Sequence, residues 1–174
     1  MKWTFLIFIL SLTSSCWTVI HKNFSLPLNG YVKNNSLKMN GYYMNYDSLK
    51  DSRRIFIFYN NGVVYHAHIG GFKSEELENV LLRQNVLADV KSPGAFRIKE
   101  NNIEINLIEH TNYEMHRVRE YRGAVLTDST FVIFSSYMTG GYPEEKDTIF
   151  YHFVPTAKPD STSWLMRRKW YRGK

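Results

Sequence analysis

His66 and His68 are the first residues whose type and spacing suggest chemistry. Two positions apart on an extended segment, they share a face and could both reach one metal ion. The alternate face carries Val63, Tyr65, Ala67 and Ile69, the better core set, so both histidines are expected to point outward. A third ligand such as His110, His116 or Glu109 is not fixed by spacing, and no metal site is assigned. The second constellation is Arg117, Arg119 and Tyr121. On a strand over 113–126 these share a face with Tyr113, Met115 and Val125. If that face lines an interior, the two guanidinium groups could hold an anionic ligand group bidentately. The plainer expectation pairs the arginines with Glu114 or Glu120. The sequence holds no phosphate loop, metalloprotease helix or nucleophile elbow. No catalytic residue and no cofactor is therefore assigned.

Cys16 is the only cysteine, which excludes an intramolecular disulfide. Before it come Lys2, the apolar stretch Trp3–Leu12 and the small residues Thr13, Ser14 and Ser15, the order of an export signal. The apolar stretch is well short of the about 20 residues a spanning helix needs. A free thiol exported to an oxidising compartment is a liability, and its place directly after the small residues suggests a modified cysteine. Here the chain resembles bacterial lipoproteins, whose signals end in a short lipobox before an acylated cysteine. Thr13 stands where leucine is usual, and such loose lipoboxes resemble those of Bacteroidota. The resemblance implies cleavage before Cys16, a palmitate-type lipid on it, and a membrane-held, periplasm-facing protein of the cell envelope.

Charge is unevenly placed. From Pro155 onward, Lys158, Arg167, Arg168, Lys169, Arg172 and Lys174 stand against Asp160 alone, whereas residues 3–154 are neutral in sum. A nucleic-acid-binding face on the domain is therefore not expected. Trp164, Arg167, Arg168, Lys169, Trp170 and Arg172 interleave indoles with cations, a pattern suited to a headgroup layer. They are the candidate membrane contacts, on a tail expected to lie outside the core.

The elements that must position these residues are mostly strands. Aromatic content is 16%, with 12 Tyr and 11 Phe, and the aromatics cluster with Val and Ile, which favours sheet. Strands are expected over 41–44, 55–59, 63–65, 96–98, 103–107, 113–126, 131–134 and 148–154, with a further short one near Leu28–Val32. Asn61-Gly62 predicts a two-residue hairpin turn, Asn101-Asn102 a second turn, and Gly123 a bulge. Ser74 as N-cap and Leu77, Val80, Leu81, Gln84 and Leu87 at helical spacing predict one amphipathic helix over 75–89. Many short strands with tight turns point to a mainly β fold, a small lipocalin-like antiparallel barrel. The alternative is an α+β curved sheet with the helix in its concavity. The expected organisation is a signal over 1–15, a lipid-anchored tether over 16–38, a β domain over 39–155 and a basic aromatic tail over 156–174.

Asn29-Gly30, Gly41-Tyr42-Tyr43, IFIFYNNGVVY over 55–65, GAFRIKENNIEI over 94–105, TDSTFVI over 127–133 and KPDST over 158–162 together resemble a set of small uncharacterised Bacteroidota lipoproteins. These motifs are turns and strands, so the resemblance implies compartment and fold and no activity. The resulting expectation is a lipid-anchored, non-catalytic binding or structural module for a small apolar or anionic ligand. Two alternatives remain: an accessory subunit docking another envelope protein through an exposed sheet edge, and an enzyme with a site inside the barrel.

Overall fold

A computed structural model describes residues 24–26, 36–47, 52–70, 91–110, 116–140, 142–157, 167 and 169–172. Eight strands follow one another: β1 (Gly41–Asp47), β2 (Ser52–Phe58), β3 (Val63–Gly70), β4 (Lys91–Lys99), β5 (Asn102–His110), β6 (His116–Thr127), β7 (Thr130–Met138) and β8 (Glu145–Pro155). Each pairs antiparallel with the next. β1 closes on β8 from Gly41↔Pro155 to Met44↔His152, giving a closed, lipocalin-like up-and-down barrel. Closure leaves no free edge among these strands, so docking by strand addition has no template on the described barrel. The helix expected over 75–89 and the strand near Leu28–Val32 lie outside the described residues.

Side chains of non-adjacent strands show which face is inside. Phe56 on β2 meets Tyr121 on β6 at 5.7 Å and Phe131 on β7 at 5.8 Å, contacts possible only across the interior. Strand alternation then puts Arg54, Phe56, Phe58, Val64, His66 and His68 inside. The expected orientation of β3 is thereby reversed. Val63, Tyr65, Ala67 and Ile69 sit on the outer wall, where they are buried with Tyr42, Ile55, Ile57 and Tyr59. A second outer cluster joins Ala95, Ile108 and Val118 to Phe24, Leu26 and Tyr171. β2 and β3 are apolar on both faces, so periodicity alone did not distinguish core from wall.

Tight turns close one end. Tyr59–Gly62 forms a turn, with the Gly62 N–H donating to the Tyr59 carbonyl at 3.0 Å and Gly62 at φ 82°. Only its last residue is left-handed, so this is a three-residue loop with a glycine bulge rather than the expected two-residue turn. Glu100 and Asn101 turn β4 into β5, one residue earlier than expected, with Glu100 at φ 57°. Asp128 and Ser129 join β6 to β7. The expected irregularity at Gly123 is present: pairing shifts from Arg122↔Ser135 to Gly123↔Ile133, leaving Phe134 as the extra residue. A Cβ on Gly123 would lie 2.0 Å from the Val132 carbonyl oxygen, so only glycine permits that approach.

Both expected flanks are tied to the barrel rather than free of it. Leu37 joins the interior core, and Phe24 and Leu26 pack on the wall. In the tail, the short helix α1 (Lys169–Arg172) carries Tyr171, which is fully buried. A phenol with an apolar body and one hydroxyl to satisfy explains this: its O–H donates to the Gly94 carbonyl.

Candidate functional site: the open half of the barrel

The barrel interior changes character along its axis. Toward the tight turns it is filled by rings: Tyr43, Phe56, Phe58, Phe96, Phe131 and Tyr151 are all nearly inaccessible. Phe131 stacks on Tyr151 at 4.8 Å, and Phe58 meets Phe96 edge-on at 4.8 Å. Toward the opposite end, where β1, β3, β5 and β7 finish and β2, β4, β6 and β8 begin, the interior is hollow. A cavity of about 500 Å³ opens there.

Its lining is polar because the inward series of most strands changes from apolar to polar toward this end. β2 supplies Arg54, β3 His66 and His68, and β5 Glu109. β6 supplies Arg119 and Tyr121, β7 Ser135 and Ser136, and β8 Glu145 and Asp147. Ile133, Ile149 and Tyr151 form its apolar base.

Arg119 organises one side. Its Nε donates to Glu109 Oε2 at 3.0 Å, and Nη1 donates to Glu145 Oε2 at 3.1 Å and to Ser136 Oγ at 3.2 Å. Tyr121 O–H donates to the other Glu109 oxygen at 3.2 Å. Arg119 and Glu109 are 17% and 19% exposed, whereas Glu145 is 68% exposed. The network thus runs from a shielded pair to a solvated rim. Burial opposes the Arg119 charge, but Glu109, Tyr121 and Glu145 together outweigh it and hold the guanidinium above its usual range. Burial, reinforced by Glu109, raises the Tyr121 phenol well above the usual value. Burial also raises Tyr151, to about 12, against the opposing hydrogen bond from Arg54.

His66 faces this network from β3. Its ring lies 4.7 Å from Phe56 and 6.0 Å from Tyr121. Burial first, then the charges of Arg54, His68 and Arg119, push its pKa down to about 3. His66 is therefore a neutral imidazole at neutral pH. Its Nε2 is shielded and has no hydrogen-bond partner among the described residues. Such a group costs about 1–3 kcal/mol unless something in the cavity satisfies it.

Of the residues singled out in the sequence, His66, His68, Glu109, Arg119 and Tyr121 line the cavity. Arg117 does not: its guanidinium lies over the Tyr142 ring at 4.7 Å, beside Gly140. The two arginines therefore form no joint anion clamp. Arg119 pairs with Glu109 and Glu145, while Glu120 faces Arg122 at 3.8 Å and Glu114 lies outside the described residues. Among the described residues no group of three His, Cys, Asp or Glu side chains could hold a metal ion. Arg54, Ser136 and Glu145 were not expected in this site, and His66 and Glu109 were considered only as metal ligands, with both histidines expected to point outward. Alternation from Phe56 and Phe58 back to Arg54 was the available signal once β2 was known to be apolar on both faces. Arg167, Lys169 and Arg172 are exposed. Cys16, Trp164, Arg168 and the Trp170 side chain lie outside what the structure describes.

No protein family matches the chain, and neither does any curated protein or solved structure.

Proposed function

We propose that this chain is a lipid-anchored protein of the cell envelope whose barrel binds a small polar molecule in its open half, without catalysing a reaction on it. The observation that carries the binding reading is the cavity of about 500 Å³ with the partnerless Nε2 of His66 facing the Arg119–Glu109–Tyr121 network. That volume falls within the range of small-molecule sites. An apolar ligand would strip water from the charged lining without replacing its hydrogen bonds. A ligand rich in hydroxyl or amide groups would replace them. The non-catalytic reading is supported by His66: with its pKa near 3 it is a weak base at neutral pH. The anchor reading rests on the signal-like residues 1–15 and on Cys16, and on the resemblance to Bacteroidota lipoproteins.

Polar fragments should raise the melting temperature of the parent protein but not of Ser136→Phe, in which a ring occupies the cavity. Equal shifts in both proteins would refute the binding site. For the anchor, metabolic labelling with a fatty-acid analogue should mark the wild type and not Cys16→Ser. An unlabelled wild type would overturn it.

A further inference from the structure

The two flanks of the chain meet on one patch of outer wall. Phe24 and Tyr171 lie ring to ring at 5.4 Å, sharing a buried cluster with Leu26, Ala95, Ile108 and Val118. Between Phe24 and Leu26, Ser25 is fixed as well: Asn106 Nδ2 donates to its Oγ at 2.7 Å, and that Oγ donates to Glu120 Oε1 at 3.3 Å. The N-terminal segment is therefore fastened to the β4–β6 wall where the C-terminal helix is fastened.

Two consequences coincide there. Only residues 17–23 separate Cys16 from Phe24, and at up to about 3.6 Å per step the chain from Cys16 to Phe24 reaches at most about 29 Å. A barrel held by lipid on Cys16 thus stays close to the bilayer, on a leash that ends at this patch. Around the buried Tyr171, Arg167, Lys169 and Arg172 are exposed, and none forms an ion pair among the described residues. The acids on the same wall are already matched: Glu104 pairs with Arg97, and Glu120 lies near Arg122. Residues 3–154 are neutral in sum, so the protein's excess positive charge is concentrated in the segment that Tyr171 fastens to this patch.

We infer that the Phe24–Tyr171 patch is the membrane-facing side of the barrel, with Arg167, Lys169 and Arg172 meeting anionic lipid headgroups. The leash argument rests on the anchor reading, but the charge argument does not. The test therefore omits the cysteine.

Residues 17–174 contain every described residue of the barrel and serve as the test protein. They should sediment with phosphatidylcholine vesicles containing phosphatidylglycerol and not with phosphatidylcholine alone. Raising salt should weaken binding, because screening shortens the reach of surface charges. Arg167→Glu/Arg172→Glu should reduce binding about tenfold or more and leave the circular dichroism spectrum unchanged. Lys99→Glu/Lys146→Glu makes the same change in net charge at exposed sites elsewhere and should reduce binding far less. Equal losses in the two double variants would show that net charge alone acts and would overturn the patch, as would absence of binding to the anionic vesicles. Failure of fatty-acid labelling at Cys16 is read separately and removes the anchor without touching this result.

Discussion

The two halves of the barrel interior are built from the same eight strands and answer different physical demands. In the closed half, rings from β1, β2, β4, β7 and β8 interlock and share one buried cluster with Ile103, Ile105 and Leu107. In the open half, strands β2 to β8 turn charged and hydroxyl-bearing side chains inward around a void of about 500 Å³. Filling maximises dispersion and burial, and the first half meets that demand alone. The second half forgoes packing and leaves the His66 Nε2 without a hydrogen-bond partner among the described residues. The difference teaches that apolar packing and polarity are divided along the barrel axis: strand closure and the ring core hold the scaffold, and the open half carries polar groups.

This division is broken most severely in the closed half. Phe56 is fully buried and touches His66, Tyr121, Phe131 and Tyr151, so it joins the two halves. Phe56→Ala should cost about 3–5 kcal/mol, read as a lower urea midpoint.

Next comes acid. His66 has its pKa depressed to about 3 in the folded chain, against about 6.5 when unfolded. A depressed value means that the unfolded chain takes up a proton first. The stability contributed by the neutral ring is thus complete above pH 6.5 and is lost as pH falls toward 3. At pH 4 the loss is about 3 kcal/mol, from 1.36 kcal/mol per unit. Denaturation across pH 7 to 4 should show it, and His66→Phe should flatten that part of the curve.

Smaller effects separate a shielded charge pair from a solvated one. Glu109→Gln removes the principal partner of Arg119 inside the cavity and should cost about 1–3 kcal/mol. Glu104→Gln breaks the exposed pair with Arg97 and should cost less than about 1 kcal/mol. Equal costs, measured by chemical denaturation, would erase the contrast between the cavity and the outer wall.

Much of the scaffold was legible in the residues. Eight of the nine strand signals correspond to the eight observed strands, and the ninth, near Leu28–Val32, lies outside the described residues; β-branched and aromatic runs bounded by Asn, Gly and Ser leave few alternatives. Gly123 marked its bulge for the same local reason. What misled was the assumption that one face of each strand is wall and the other core. On β3 the more apolar series, Val63 to Ile69, is buried outside, while the less apolar one lines the cavity. Tyr171 was also hidden, because a buried ring among cations reads as a solvated tail until Phe24 and the Gly94 carbonyl are brought to it in space. Arg119 and Tyr121 were found by type and spacing alone. Their partners Glu109, Ser136 and Glu145 lie on three other strands, and no local pattern links them.

The most direct test of the account uses isoleucine methyl groups as reporters. Ile133 and Ile149 line the cavity, whereas Ile55, Ile57 and Ile69 are buried on the outer wall. With these methyls labelled, NMR spectra recorded against a library of polar fragments should show binders shifting Ile133 and Ile149 and leaving Ile55, Ile57 and Ile69 in place. Fragments that move the outer-wall methyls instead, or a library that moves neither cavity methyl, would contradict the claim that the open half of the barrel is a binding site.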